Sequence, residues 1–125
     1  MSRAGFPTGL VRGVPVIRAP EKLDRSNTHL LQASVRYWAA YGYASFVIDM
    51  NRTIACDLTA YRTLVRTHDR AQAEGGEVRV VASGPVLSRF GRGLVGAVLP
   101  HFATVSDALA ETPAVAIEPA FGLSA

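Results

Sequence analysis

Residues 46–65 read Phe46-Val47-Ile48-Asp49-Met50-Asn51-Arg52-Thr53-Ile54-Ala55-Cys56-Asp57-Leu58-Thr59-Ala60-Tyr61-Arg62-Thr63-Leu64-Val65. The stretch opens on a short apolar run closed by an acid, the pattern of a buried strand reaching its end. Seven residues separate Asp49 from a second acid, Asp57. Behind Asp57, Leu58, Tyr61, Leu64 and Val65 recur at the three- and four-residue steps of a helix. Asp57 suits the N-cap of that helix, because its carboxylate accepts from the unpaired N–H groups of a first turn. Strand, short loop and acid-capped helix therefore meet at one point, with little side-chain bulk at Thr59 and Ala60. A helix N-terminus exposed at a strand end is a place where something docks or a charge is added.

Working outward from this junction, residues 1–8 read as a loose arm. Gly9 to Arg12 and Pro15 to Arg18 flank Gly13, which predicts two short strands and a tight turn. Pro15 donates no backbone hydrogen bond, so the second strand is expected to begin there or to turn its N–H side outward. Asp24 to Asn27 offers helix caps, and Asp24 is read as a cap or turn residue. Leu30, Leu31, Ser34, Val35, Trp38 and Ala39 then mark an apolar helical face, with Gly42 as its stop. The helix behind Asp57 runs to about Ala73 and ends at Gly75-Gly76. Val78-Arg79-Val80-Val81 reads as a half-buried strand and Pro85 to Phe90 as a short helix. Gly91, Gly93 and Gly96 loosen the next segment. Phe102 to Val105 predicts a last strand, and Ser106 the cap of a helix through Leu109. Residues 111–125, rich in Ala and Pro, read as a flexible tail. Strands alternating with helices imply parallel pairing across crossovers, with the first hairpin as an antiparallel edge. The expected fold is an α/β domain over residues 9–110, with a mixed sheet of four or five strands and helices packed on it.

Composition sets the outer limits. The 125 residues, 49% hydrophobic and 18% charged, suit one folded domain. The longest uncharged stretches are broken by Gly, Pro, His or Ser, and fall short of the roughly 18–20 apolar residues of a membrane span. No basic segment followed by an apolar core opens the chain, so no secretory signal is expected, and direct membrane insertion is not. One cysteine, Cys56, excludes an internal disulfide and fits a reducing compartment, which points to the cytoplasm. Of the 13 basic residues all but Lys22 are Arg, spread from Arg3 to Arg92 rather than gathered in a run. That spread argues against nucleic-acid binding despite the net charge of +3. Arg62, Arg66 and Arg70, four residues apart, form a basic stripe on the second helix, read either as a solvated face or as a contact for an acidic patch. Asp69 is placed to pair with Arg66.

Catalytic chemistry finds little support. His29, His68 and His101 lie far apart, and no Cys-x-x-Cys or His-x-x-x-His spacing suggests a metal site. Cys56 reads as a small buried apolar residue rather than a reactive thiol. The glycine cluster 91–96 is no phosphate loop. Asp49 and Asp57 alone are a thin basis for a shared proton or metal. No cofactor is expected.

With these elements in order, the chain resembles the STAS domain of anti-sigma factor antagonists over about residues 9–110. The likeness rests on Leu23-Asp24 after the second strand, Val47-Ile48-Asp49 ending the third, and Asp57-Leu58-Thr59-Ala60 opening the second helix. It continues in Gly75-Gly76 before Val78–Val81, in Gly93-Leu94 and in Ala108-Leu109. The resemblance implies a small non-enzymatic regulator that binds an anti-sigma factor, often a serine kinase, and so frees a sigma factor. In the family, phosphorylation at the start of the second helix switches this binding off. The implied contact residues are Asp24, Asp49, Asp57, Leu58, Thr59 and Ala60, with Arg62 and Arg66 behind them. A homodimer is a further association the reading allows. A different class of function on the same scaffold is that of a STAS-like accessory subunit of an ABC-type lipid transport complex, and a third is a small enzyme or ligand-binding domain.

The chain departs from the family where the switch resides. The family pattern is Asp-Ser, then Ser or Thr, then Gly; here it is Asp57-Leu58-Thr59-Ala60. Leu58 occupies the phosphoacceptor position and carries no hydroxyl. Thr59 keeps one, about 100° further around the helix, and is the remaining candidate for phosphorylation. Ala60 adds a methyl where the family has none, and Glu21-Lys22 replaces the glycine usual before Leu23-Asp24. The expectation is constitutive binding, or a contact retuned around Leu58.

Overall fold

A computed structural model of the chain describes residues 5–82 and 99–110. The expected helix from Pro85 to Phe90, the glycine segment 91–96 with Gly93-Leu94, and the tail 111–125 lie outside these residues.

The chain begins with a hairpin, β1 (Thr8–Val11) and β2 (Val14–Arg18), whose register pairs Val11 with Val14 and Thr8 with Ile17. Both turn residues have positive φ, Arg12 at 53° and Gly13 at 77°, the conformation that matches the twist of a two-residue hairpin. After β3 (Lys22–Leu23) come α1 (Thr28–Ala39), β4 (Phe46–Asp49), β5 (Ala55–Cys56), α2 (Leu58–Ala73), β6 (Val78–Val81) and β7 (His101–Phe102), followed by helical residues 105–110. The main sheet is five-stranded in the order β1-β2-β4-β6-β7, with β1 antiparallel at the edge and the other neighbours parallel. This is the mixed α/β sheet the alternation of elements predicts.

Several local expectations need correction. Residues 5–8 are no loose arm. The Phe6 amide donates to Ser34 Oγ at 2.8 Å, Phe6 packs on the core, and Thr8 belongs to β1. Pro15 does not open β2. It follows Val14 in a strand lying between β1 and β4. Pairs alternate along an antiparallel ladder from Val11–Val14, so the Leu10–Pro15 pair exchanges no bonds, and the parallel ladder to β4 starts only at Val16. The missing N–H thus falls outside both ladders. The last strand is His101–Phe102, and Val105 already lies in the helical segment. There Thr104 Oγ1 accepts from the Asp107 amide at 3.0 Å, so Thr104 is the cap rather than Ser106.

Strand alternation divides the core between the two faces of the sheet. Ile17, Ile48, Val78 and Val80 face Leu31 of α1 and Leu64 of α2. Val16, Val47 and Val81 face Ala108 and Leu109. All four residues of β6 are buried, where half-burial was expected, because β6 lies between β4 and β7 with both faces covered. Arg79 tolerates this position by pairing with Glu77 and stacking 5.2 Å from the Phe102 ring centroid.

Both long helices stop in the same way. Gly42 (φ 96°) donates to Ala39 O and Tyr43 to Trp38 O; Gly75 (φ 87°) donates to Gln72 O and Gly76 to Ala71 O. These paired bonds satisfy the last helical carbonyls and need a left-handed residue, which glycine provides without a Cβ clash. Within α2, His68 is 2% exposed and its Nδ1 accepts the Val78 amide at 3.0 Å. This bond pins the helix to the start of β6. His68→Leu leaves that buried N–H without an acceptor and is expected to cost about 1–3 kcal/mol in urea or thermal unfolding. An unchanged midpoint would show the bond to be dispensable.

Candidate functional site

The site forms where β4 ends and α2 begins. Register places Asp49 beside Arg18 at the carboxyl end of the parallel strands. The Asp49 carboxylate accepts from the Asn51 amide at 3.0 Å and its carbonyl from the Ala19 amide at 2.9 Å. The chain then runs along residues 20–23. Thr53 Oγ1 donates to Pro20 O at 2.8 Å, Glu21 O accepts from the Ile54 and Ala55 amides, and β5 pairs with β3 in a small parallel sheet. The segment that sequence alone reads as a short loop is thus partly strand. Strands two residues long fall below any detectable period.

Asp57 comes next in an extended conformation, φ −85° and ψ 177°, as the N-cap of α2. One carboxylate oxygen accepts from the Ala60 amide at 2.8 Å, and the other from the Arg25 amide at 3.2 Å. A single side chain therefore caps the helix and clips the 24–27 turn to it. The turn is held from within by Asp24, whose carboxylate accepts from both the hydroxyl and the amide of Ser26. The Ser26 hydroxyl, then the Ser26 amide, hold the Asp24 carboxyl below its ordinary value of 3.8. Asn27 occupies the N-cap position of α1, but its side chain bonds back to the Asp24 amide and the Lys22 carbonyl instead of capping the helix.

The residues read from sequence thus fall into groups. Asp24 and Asp57 are brought to one turn. Asp49 touches neither, serving the next turn instead. Leu58 and Thr59 are exposed on the first turn of α2, Leu58 at 58%. Ala60 is fully buried in the core, so its methyl packs inward and adds no side-chain contact to the surface. Arg62 and Arg66 are exposed further along α2, and among the described residues Arg79–Glu77 is the ion pair formed, so the expected Asp69–Arg66 pair is not made. Sequence reasoning missed Ile54, 62% exposed just before β5. Its one signal was a large apolar residue directly behind the polar run Asn51-Arg52-Thr53.

This surface offers two exposed aliphatic side chains, a capped helix N-terminus and basic neighbours. Cys56 packs against the core but is half-buried, less enclosed than the buried residue read from sequence. Among the described residues no group of three or more His, Cys, Asp or Glu side chains is placed to hold a metal ion, and no helix is long and apolar enough to cross a membrane.

The comparisons with known proteins bear on the fold. No curated protein matches the sequence. An anti-sigma factor antagonist from Mycobacterium paratuberculosis is 24% identical, with TM-score 0.74 over 86% of this chain and 92% of that one. A Thermotoga maritima protein assigned as an anti-sigma factor antagonist is 22% identical, with TM-score 0.72 over 86% and 94%. The Bacillus cell fate determinant SpoIIAA in its phosphorylated form is 17% identical, with TM-score 0.64 over 85% and 97%. At these identities the likeness establishes the fold. The STAS domain family model matches residues 9–108, and the chain belongs to the STAS domain family.

Proposed function

We propose that this STAS domain is an anti-sigma factor antagonist that acts by binding, without catalysis, in the cytoplasm. The observation that carries the reading is Leu58, exposed on the first turn of α2 at the family's phosphoacceptor position. Ile54 adds a second exposed aliphatic side chain shortly before it in the chain. Apolar anchors surrounded by polar and basic residues are the usual composition of a protein contact. The resemblance to the antagonists supports an anti-sigma factor as the partner. Capture from native lysate tests this: a sigma-associated or kinase-like protein is expected, whereas an ATPase with its membrane subunit would favour a transport role.

A phosphate adds roughly 1.5–2 negative charges, which in the family reverses binding at this helix start. Leucine removes the acceptor, so the contact is constitutive. Incubation with a cognate kinase is expected to leave Thr59 unmodified by mass spectrometry; stoichiometric phosphate there would contradict constitutive binding. The exposed arginines behind the helix start extend the contact toward an acidic partner. Arg62→Glu with Arg66→Glu is expected to weaken binding about tenfold, chiefly by slowing association at low salt. Unchanged affinity would remove the stripe from the interface.

A further inference from the structure

Away from the α2 N-terminus, the outer edge of β1 is open. Bonds to β2 alternate from the Val11–Val14 pair through Gly9 to Pro7, whose carbonyl accepts from the Arg18 amide at 2.9 Å. The N–H and C=O groups of Thr8 and Leu10 therefore point away from β2, and no other strand among the described residues pairs with them. Natural edges are usually blunted by a charge, a bulge or a cover, because such a row of groups is a template for another strand. β1 carries no charged side chain, its pairing is one-to-one without a bulge, and Leu10 and Val11 are 47% and 40% exposed. A second apolar feature overlooks the same edge. Gln32, Val35, Arg36 and Ala39 of α1 border a groove against α2. At about 100° per residue, Ser34 and Tyr37 lie on the opposite flank of α1, where Ser34 Oγ accepts from the Phe6 amide just ahead of β1. Tyr37 and, one turn on, Tyr41 are exposed, with ring centroids 5.3 Å apart.

We propose that this edge is a homodimer interface, in which β1 pairs antiparallel with β1 of a second copy about a two-fold axis at Gly9. The register follows from the residues. With Gly9 opposite itself, Leu10 of each copy exchanges both backbone bonds with Thr8 of the other, so every outward group of these two residues is used. A register centred on Thr8 needs the Phe6 amide, which already donates to Ser34. A register centred on Leu10 sets Thr8 against Arg12, whose φ of 53° takes it out of the strand. Glycine suits the axis, where facing Cα atoms of a non-bonded pair come within about 4.5 Å. Nothing in the same chain lies within 4 Å of a Cβ added at Gly9. The occupant is a second copy because the edge complements itself. Leu10 of one copy covers Thr8 of the other on the helix-bearing face, and Val11 meets Pro7 on the opposite face. The two Arg12 side chains fall at opposite ends of the ribbon, roughly 20 Å apart and beyond the ~8 Å screening length, so they do not oppose the pairing. The axis stands perpendicular to the sheet, so both α1 helices lie on one side and their tyrosine flanks face each other across it. Reversed strand direction turns the two α2 N-termini to opposite ends of a continuous sheet, which leaves both partner surfaces open.

Disulfide trapping tests both the dimer and its register. Cys56→Ala removes the native thiol, and in that background Gly9→Cys should form an intermolecular disulfide under mild oxidation, because Cα atoms about 4.5 Å apart suit the bond. Leu10→Cys, set diagonally from its own counterpart, should cross-link about tenfold more slowly or less. Sedimentation velocity of the unaltered chain, from about 10 µM to about 1 mM, should show a reversible monomer–dimer equilibrium, the behaviour of a short edge that buries less than the roughly 1,200 Å² of a stable interface. Leu10→Pro removes an outward N–H without touching a bond to β2, and Tyr37→Ser with Tyr41→Ser removes the aromatic flank. Each should weaken dimerisation about tenfold or more while the circular dichroism spectrum stays that of the parent. Leu58→Asp should leave the equilibrium unchanged, which separates this surface from the partner site. A chain that stays monomeric at the highest concentration, faster cross-linking at Leu10 than at Gly9, or a dimer insensitive to both sets of substitutions would each overturn the proposal.

Discussion

Leu58→Asp is expected to lower affinity for the anti-sigma partner about a hundredfold, ~2.7 kcal/mol, while the protein folds as before. The two effects separate because of where Leu58 sits. Its side chain is 58% exposed on the first turn of α2, so its removal opens no cavity. An aspartate there faces the positive end of the helix dipole, which offsets repulsion from Asp57, and thermal stability should stay within about 0.5 kcal/mol. In a complex the same carboxylate must be desolvated against a surface that accepts leucine, and it has no counter-charge there. Leu58→Met, which keeps the apolar volume, should retain affinity within about threefold. Calorimetric titration of both variants checks the prediction. An unchanged Leu58→Asp affinity, with folding intact, would place the partner elsewhere.

Gly76→Ala is expected to have the opposite signature, a loss of stability of about 2–3 kcal/mol. A Cβ at Gly76 would overlap the Ala44 carbonyl and approach Ser45 Oγ. The obstacle is largely backbone just ahead of β4, and the Phe46 amide donates to Glu77 O at 3.0 Å across the same junction. Relief requires moving the start of β6 away from β4, which strains that bond and the Gly76–Ala71 bond ending α2. Urea unfolding should show a lower midpoint with an unchanged slope. Gly9→Ala, where nothing lies within 4 Å of the added atom, serves as the control. A Gly76→Ala midpoint equal to the parent's would show that this approach is not tight in solution.

Much of the fold is legible in the sequence because its signals are long or chemically sharp. The 16-residue α2 carries four clear apolar repeats, an acidic cap and a paired-glycine stop, and its bounds follow from them. The parallel pairing of the main strands follows from their alternation with helices. What escaped is short or tertiary in origin. The β3 and β5 strands are too brief for a period, and the burial of Arg79 depends on Glu77 and on Phe102 far along the chain. The site shows the same division. Asp57 as the cap of α2 is a local property. Its second bond, to the Arg25 amide, joins residues 32 apart and has no local trace. Ala60 illustrates the converse: a position read as surface from a motif proves to be core, because the 3.6-residue period turns it inward from exposed Leu58 and Thr59.

The most direct measurement is an amide chemical-shift map of the labelled protein upon addition of the captured partner. Perturbations centred on Ile54 to Arg62 and on the Lys22 to Asn27 turn, abolished by Leu58→Asp, are the predicted result. A map centred on the α1–α2 groove or on the β1 edge, with Leu58 and Thr59 unmoved, would contradict the assignment of the α2 N-terminus as the partner-binding surface.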